Sequence, residues 1–230
     1  MSETEYYKEV LAWMAQRGPS RYSTYVNRIP TDTVDYKRNR RRELIKRYGF
    51  SIPTRAVIDQ LAPLGPFIEV GAGTAYWSYE LQQAGADVVA TDLHIGESNV
   101  FDFEKPWLPL IELPALAAAR AYPDRTLLLC WPDDYNSSGG WSDECVEAYE
   151  RAGGKRIVYV GESGGGCTGS YRLHTLLQHR WRETLELDLP QWEGINDYLS
   201  VYELGAGKRQ RSWEQIETTD HGYEEDDDED

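Results

Sequence analysis

The sequence predicts an α/β fold: a doubly wound, mainly parallel sheet with helices on both faces, finished by an antiparallel C-terminal hairpin. Three observations predict it. Short apolar runs of strand type alternate with helical segments over residues 67–181. A glycine-containing turn joins the first of these runs to its helix. Two strand-type runs, residues 182–189 and 197–204, then follow each other with no helix between them, which is typical of a hairpin.

Residues 1–54 are predicted to form a helical N-terminal extension. Apolar side chains recur at helical spacing within the first 14 residues, and a Gly-Pro pair ends this helix. After a turn-rich stretch, a further helix begins near Thr54 and leads into the α/β domain, which we place at residues 55–205.

Most strands and helices of the α/β domain can be assigned directly. The strands are FIEVG, DVVATD, RTLLLCW and KRIVYVGE, and the helices are TAYWSYELQQAG, SDECVEAYERAG and GSYRLHTLLQHRW. The stretch between the second and third of these strands contains four prolines, three of them at positions 106, 109 and 114. It leaves room only for a short strand at residues 99–103, NVFDF, and a helix at residues 112–122. We therefore expect a compressed third strand-helix unit there, or a loop over the site.

The charge of the chain is strongly negative, with a formal net charge of -15. Residues 206–230 form an acidic tail that we predict to be disordered, and residues 220–230 alone carry eight acids. The body still has a charge of about -7, and Arg outnumbers Lys by 18 to 6. These features favour a halophilic source, because dense carboxylates keep a surface hydrated in high salt. The alternative is a tail that only adds solubility.

Several classes of protein are disfavoured by the composition. The acidic N-terminus does not resemble a secretion signal, and no apolar run reaches the length of a membrane span. We expect a soluble, cytoplasmic protein with no membrane partner. Cys130, Cys145 and Cys167 lack metal-ligand spacing, and His174 and His179 are five residues apart on one helix, so no metal site is predicted.

The glycine turn after the first strand excludes two kinds of nucleotide site. A dinucleotide fingerprint needs a third glycine where this chain has Tyr76. A phosphate loop of the Walker type needs a Gly-Lys-Ser/Thr sequence that does not follow. The turn therefore does not predict a nicotinamide, flavin or nucleoside triphosphate ligand.

The same turn carries a different pattern, in which Glu69 and one spacer precede Gly71 and Gly73, with the small Ala75 next. This resembles motif I of the class I S-adenosylmethionine-dependent methyltransferases, with Ala75 in place of the last glycine. The resemblance covers residues 65–204 and implies a Rossmann-like fold, S-adenosylmethionine as cofactor, and methyl transfer as the reaction. Glycines let the backbone approach the ligand, and a carboxylate suits its positive charge.

A second acid supports the resemblance. Asp92 ends the second strand, where the family places a carboxylate that accepts hydrogen bonds from the ribose hydroxyls. The resemblance thus implies a set of cofactor-binding residues, namely Glu69, Gly71, Ala72, Gly73, Asp92, Asp102 and Trp131. The alternative is that Glu69 and Asp92 cap helices at strand ends and the glycines only make a tight turn.

The segment after the strand RTLLLCW is the predicted catalytic region, because reacting groups lie beyond the carboxyl ends of strands in open α/β sheets. Its sequence, WPDDY, partly resembles the D/N/S-P-P-Y/F/W motif of amino-methyltransferases, although Trp131 replaces the polar residue. We predict Asp133, Asp134 and Tyr135 as catalytic residues that orient or deprotonate the nucleophile. A simple polar turn is the alternative.

A basic run, KRNRRRELIKR, begins at Lys37 and ends at Arg47, with seven basic residues against Glu43. It is a candidate strip for gripping the phosphates of a nucleic acid. The alternative is a solvated helix whose arginines pair with surface carboxylates.

The sequence as a whole predicts an S-adenosylmethionine-dependent methyltransferase that acts on an unidentified N or O nucleophile, with nucleic acid as one candidate acceptor. The alternative is a non-catalytic protein of the same fold that serves as a binding or assembly component.

Overall fold

The computed structural model describes residues 2–17, 28–29, 40–95, 101–133, 140–164 and 166–205. Its helices are α1 (Glu5–Arg17), α2 (Arg40–Tyr48), α3 (Arg55–Leu61), α4 (Tyr76–Gln83), α5 (Ala115–Ala121), α6 (Ser142–Arg151) and α7 (Tyr171–Arg180). Its strands are β1 (Arg28–Ile29), β2 (Phe67–Val70), β3 (Val88–Asp92), β4 (Ile111–Glu112), β5 (Thr126–Cys130), β6 (Arg156–Gly161), β7 (Trp181–Asp188), β8 (Gln191–Trp192) and β9 (Tyr198–Leu204).

Seven strands form one mixed sheet in the order β4-β3-β2-β5-β6-β9-β7. The five strands from β4 to β6 are parallel, and β9 runs antiparallel to both β6 and β7. The predicted α/β fold with a mainly parallel sheet and an antiparallel ending is therefore confirmed. The last strand of the hairpin lies inside the sheet, between β6 and β7, so β7 forms the edge.

Helices cover both faces of the sheet because the inner strands bury side chains on both sides. All four residues of β2 are buried, as expected for a central parallel strand. Ile68 and Val70 face a core formed with α5, α6 and α7, whereas Phe67 faces a second core formed with α3 and α4. The edge strand β7 alternates buried or half-buried residues with exposed ones, which shows that one of its faces meets solvent.

The third strand is not where the sequence predicted it. Residues 101–103 of the predicted strand NVFDF are not in a strand, and residues 99–100 lie outside the described residues. Instead Ile111 pairs with Thr91 and Glu112 with Asp92, which makes β4 the neighbour of β3. The prolines at 106 and 109 lack backbone N–H groups, and the chain between them and residue 103 has no regular structure. The predicted compression of this unit is seen, but further along the chain.

The N-terminal extension packs against the α/β domain through a third core. Tyr6 and Val10 of α1, together with Tyr48 of α2, are buried against Tyr76 of α4 and Trp192 of β8. The strand β1 adds a two-residue parallel pair with β8. None of the described helices combines the length and the apolar character that a membrane crossing requires. The predicted acidic tail, residues 206–230, lies outside the described residues.

Candidate functional site

A cavity of about 430 Å³ lies at the carboxyl ends of β2, β3 and β5. Its floor is the glycine turn after β2, and residues of the N-terminal extension, Tyr48 to Phe50, complete one wall. Strand ends converge there because the strands are parallel and their following loops all leave the sheet on the same edge. Of the predicted site residues, the cavity brings together Glu69, Gly71, Ala72, Gly73, Asp92, Trp131 and Asp133.

The glycine turn has the backbone that its sequence predicts. Gly71 has φ = 66°, and Gly73 has φ = 55°, which is the left-handed region that favours glycine. Ala75 also has φ = 55°, at the position where the resembled motif has its last glycine, and α4 begins at the next residue. The Ala72 N–H donates to the Thr91 carbonyl at 3.0 Å, so the turn is tied to β3.

The space left by the missing side chains of the two glycines is used by aromatic rings of the chain itself. A Cβ atom on Gly71 would lie 2.9 Å from the ring of Trp141, and one on Gly73 would lie 2.7 Å from the ring of Phe103. Both rings also line the cavity. The glycines therefore permit a close ring approach in this structure, in addition to the left-handed turn.

Asp92 connects the end of β3 to the glycine turn. Its Oδ2 accepts a hydrogen bond from the Gly73 N–H at 2.8 Å, and its Oδ1 accepts one from the His94 N–H at 2.8 Å. The residue is 8% exposed and lines the cavity. Because each carboxylate oxygen has two lone pairs, both oxygens can accept a further donor. Asp92 thus orders the turn and remains able to bind a hydroxyl group.

Glu69 is a carboxyl group at the bottom of the cavity, only 2% exposed. The Ser78 hydroxyl of α4 donates to its Oε2. Burial raises the pKa of Glu69 to about 7, with a further contribution from the charge of Asp92, while the bonds from Ser78 oppose the shift. A cation bound nearby would favour the ionised form of this carboxyl group.

Trp131 is held in an unusual backbone conformation, with φ = 47°. Its ring stacks on Phe50 with a centroid distance of 4.8 Å and an interplanar angle of 10°. Its Nε1 donates to Asp197 Oδ1 at 3.0 Å. The N-terminal extension and the C-terminal hairpin thus both hold the residue that precedes Pro132 and Asp133.

Asp197 is a second buried carboxyl group with a raised pKa, and it lies behind Trp131. It is 1% exposed, and besides the indole it accepts a hydrogen bond from the Ser51 hydroxyl at 2.5 Å. Burial raises its pKa to about 7, and the charge of Glu162 adds to the shift. It is absent from the cavity wall, so its contact with Trp131 is its link to the site.

Asp133 has one satisfied and one unsatisfied carboxylate oxygen. Its Oδ2 accepts from the Ser142 N–H at 3.0 Å, at the beginning of α6, and its carbonyl accepts from the Gly169 N–H at 2.7 Å. Its Oδ1 is buried and receives no hydrogen bond from any residue that the structure describes. The other two predicted catalytic residues, Asp134 and Tyr135, lie outside the described residues.

Asp102 does not reach the cavity. Its side chain is 72% exposed and forms an ion pair with Lys46 at 2.6 Å, which lowers the pKa of the carboxyl group. The prediction that Asp102 contacts the cofactor assumed a third strand at residues 99–103. The third strand-helix unit of the parallel sheet has β4 as its strand instead. The residues that follow β4 line the cavity, namely Leu113, Pro114, Ala115 and Leu116.

Part of the aromatic lining, Phe50 and Trp141, was not predicted from the sequence. Phe50 stands in T-shaped contact with Phe101 at 5.2 Å and Phe103 at 5.9 Å, and all three line the cavity with Trp131 and Trp141. Phe50 and Trp141 are distant in sequence from motif I and follow no spacing rule. The only signal was the position of Trp141 directly before the predicted start of α6.

Three residues in the described part of the basic run, Arg40, Lys46 and Arg47, form ion pairs. Arg40 pairs with Glu9 and with Glu43, and Arg47 pairs with Glu9 at 2.9 Å and with Glu104 at 3.4 Å. The pair of Lys46 with Asp102 adds another. These contacts join α1, α2 and the segment around residue 104 into one wall, and they match the alternative in which the arginines pair with carboxylates.

The sheet order, the glycine turn after the central strand β2 and the carboxylate at the end of β3 together define the class of fold. The chain has a Rossmann-like, mainly parallel α/β fold with an antiparallel ending, which is the fold that the sequence predicted. Among the described residues there is no cluster of three or more acidic, cysteine or histidine side chains that would hold a metal ion.

No protein-family model and no curated protein matches the chain. Solved structures do match. A magnesium protoporphyrin IX methyltransferase from Synechocystis with bound S-adenosylmethionine is 13% identical, covers 65% of this chain and 74% of its own, and has a TM-score of 0.43. A precorrin-6y C5,15-methyltransferase from Geobacter metallireducens is 16% identical, with 66% and 87% covered and a TM-score of 0.38.

A third similar structure is an S-adenosylmethionine-dependent methyltransferase from Aquifex aeolicus, at 11% identity. It covers 60% of this chain and 81% of its own, with a TM-score of 0.35. At identities this low, the function of this chain has to be inferred from its own residues.

Proposed function

We propose that the protein binds S-adenosylmethionine in this cavity and transfers its methyl group to an N or O nucleophile. One observation carries the proposal: Glu69 and Asp92, on neighbouring strands, line one cavity together with a left-handed glycine turn. S-adenosylmethionine carries a sulfonium, an ammonium and a ribose with two hydroxyls. Carboxylates are suited to all three groups, whereas a phosphate ligand would be repelled by them.

The residues of the cavity fit the parts of this cofactor. The apolar side chains of Leu93, Leu113 and Leu116, with the Trp141 ring, would hold a flat base. Asp92 would accept the ribose hydroxyls through its remaining lone pairs. Glu69 would lie toward the positive charges.

When bound, S-adenosylmethionine supplies an electrophilic methyl group. A nucleophile that attacks this methyl carbon in line displaces the sulfur atom as the leaving group. The chain itself contributes orientation and a proton acceptor. Asp133 is a candidate acceptor because it lines the cavity and the Ser142 N–H fixes its carboxylate. Asp134 and Tyr135 remain predicted catalytic residues.

A non-catalytic role is the second candidate, and two observations favour it. Both oxygens of Asp92 are already bonded to backbone N–H groups, and the rings of Trp141 and Phe103 pack on the two glycines. In that case the turn would serve packing, and the protein would act as a binding or assembly component. Incubation with labelled S-adenosylmethionine and pools of small molecules, nucleic acids and proteins distinguishes the two, because only the enzyme transfers label.

Cofactor binding is tested by calorimetric titration with S-adenosylhomocysteine. We expect Asp92→Ala to weaken binding by tenfold or more, since a hydrogen bond to a charged group contributes about 1.5–3 kcal/mol. Asp102→Ala is the matched control, because this acid is exposed and does not line the cavity. Asp92→Asn, which keeps the side-chain volume, checks that the effect is not a loss of folding. Equal affinity for the wild type and both Asp92 variants would contradict the proposal.

A further inference from the structure

The charge of the cavity wall is one-sided. Three carboxyl groups line it, from Glu69, Asp92 and Asp133, and among the described lining residues there is no Lys or Arg. His94 is the one described lining side chain that can take a positive charge. Anionic ligands are therefore disfavoured in this cavity and cationic ligands are favoured.

The proposed cofactor does not use all of this negative charge. Glu69 and Asp92 lie at the ends of the adjacent strands β2 and β3, where the cofactor is proposed to bind. Asp133 follows β5, on the other side of β2, and it lines the cavity as well. A carboxylate in this wall can accept a hydrogen bond from a bound N–H group.

Aromatic rings also line the cavity. Trp131 is two residues from Asp133 and stacks on Phe50, which in turn contacts Phe101 and Phe103. The phenylalanine rings offer no hydrogen-bonding atoms, so they suit an apolar or aromatic body. Their faces also attract cations, most strongly when water is excluded. Rings and a carboxylate together match an amine carried on an apolar group.

The size of the cavity favours a small acceptor. At about 430 Å³ it lies at the lower end of ordinary small-molecule sites. Its wall is completed by Tyr48, Gly49 and Phe50, which the ion pairs of α2 hold against α1 and Glu104. A nucleic acid would bring phosphates to a cavity lined by three carboxyl groups, and Arg40, Lys46 and Arg47 of α2 already form ion pairs with carboxylates.

We propose that the methyl acceptor is a small molecule that carries an amine on an apolar or aromatic body, with the rings of Phe50, Phe101, Phe103 and Trp131 around that body and Asp133 facing the amine nitrogen. The proposal rests on the proposed methyltransferase function. The neutral amine forms the new N–C bond while the C–S bond of the cofactor breaks with its electron pair on sulfur, and the nitrogen loses a proton to Asp133 or water.

The test compares matched probes by calorimetry on the full chain saturated with S-adenosylhomocysteine. The probes are phenethylamine and tryptamine, their neutral alcohol analogues, and their carboxylic acid analogues. We expect the amines to bind at least tenfold more tightly than the alcohols, and the acids to show no binding. Asp133→Asn should remove most of the preference for the amine over the alcohol, whereas Phe50→Ala should weaken amine and alcohol alike. Asp59→Asn, which changes an acid outside the cavity, is the matched control.

The outcomes separate this proposal from the one it rests on. Failure to bind S-adenosylhomocysteine would overturn the proposed function. Normal binding of S-adenosylhomocysteine with no preference for amines would overturn the amine proposal alone, and this comparison needs only the wild-type protein. Salt-sensitive binding of a single-stranded oligonucleotide that displaces the amine would overturn it in favour of a nucleic acid acceptor.

Discussion

At the scale of single residues, Asp92 and Asp102 show how position decides the role of an acid. Asp92 is at the end of a buried strand, and its carboxylate orders the glycine turn beside the cavity. Asp102 lies in the segment before the third strand, where it is exposed and paired with Lys46. The same side chain is thus part of a candidate ligand site in one place and a surface ion pair in the other.

Glu69 makes a residue-scale prediction about pH. Burial raises its pKa from an ordinary value of 4.5 to about 7, so between these values the native state holds a proton that the unfolded chain has released. The stability that this group contributes is fully present below its unfolded pKa and is lost as the pH rises through about 7. We expect Glu69→Gln, which cannot ionise, to reduce the fall in melting temperature between pH 4 and pH 8.

The comparison needs two further variants. Asp197→Asn should reduce the fall as well, because burial raises the pKa of Asp197 in the same direction. Asp59→Asn should not, because Asp59 is an exposed acid on α3. If the melting temperatures of the wild type and Glu69→Gln change equally across this pH range, burial does not raise the pKa of Glu69.

The sequence predicted a shared site for Glu69, Gly71, Gly73, Asp92 and Asp133. Each of them lies at or just after the carboxyl end of a recognisable strand, and such ends converge on one edge of a parallel sheet. The sequence could not predict the aromatic wall. The rings that form the wall come from the N-terminal extension, the segment before β4 and the start of α6. Side chains from such separate segments meet only through tertiary packing, which leaves no local period or spacing in the sequence.

At the scale of elements, the N-terminal extension is part of the packed structure. The Tyr6 ring stacks on Tyr48 at a centroid distance of 4.8 Å, and its backbone N–H donates to the Tyr76 hydroxyl at 3.0 Å. The Trp192 indole donates to the Tyr6 hydroxyl at 3.3 Å. Helix α1 therefore packs against the end of α2. The two residues that directly follow α2, Gly49 and Phe50, form part of the cavity wall.

Helix α1 makes a prediction about stability. Tyr6 is fully buried, so Tyr6→Ala should lower the free energy of unfolding by about 3–5 kcal/mol. Tyr6→Phe keeps the ring and loses the hydroxyl contacts, which should cost about 1 kcal/mol. Leu11→Ala on the same helix is the matched control, because Leu11 is 44% exposed. Urea denaturation measures all three, and equal losses for Tyr6→Ala and Leu11→Ala would show that α1 does not contribute to the core.

The third strand illustrates the limit of element prediction. Central strands such as β2 and β5 were predictable because both of their faces are buried and their sequences are continuously apolar. Strand β4 has only two residues, both exposed, and it lies at the edge of the sheet. It forms because the backbone of β3 offers hydrogen-bonding partners, and its sequence therefore carries no strand signal.

At the scale of the whole molecule, the dominant property is negative charge. The formal net charge of -15 is distributed between the acidic tail and the body. Arginines such as Arg40, Arg47 and Arg180 offset part of it locally, each with more than one carboxylate neighbour. The remaining repulsion between carboxylates favours the unfolded chain at low ionic strength.

This charge predicts a dependence of stability on salt. We expect the melting temperature to rise as KCl is increased from 0.1 M to 2 M, because salt screens the repulsion between surface carboxylates. A variant with the eight acids of residues 220–230 replaced by Asn and Gln should keep most of this rise if the charge of the body causes it. Greatest stability at low ionic strength would contradict the halophilic prediction.

The pairing of β1 with β8 also constrains how the protein is made. Ile29 is paired in register with Trp192, and the bond between Trp192 and Tyr6 spans 186 positions of the chain. At about 5–20 residues per second, a ribosome takes on the order of ten to forty seconds to deliver that partner. The first helix therefore emerges without the surface it packs on. The contacts that hold Phe50 and its neighbours in the cavity wall are completed only after β8 and β9 have left the exit tunnel, so a nascent chain gains this cavity well after its central strands have been made.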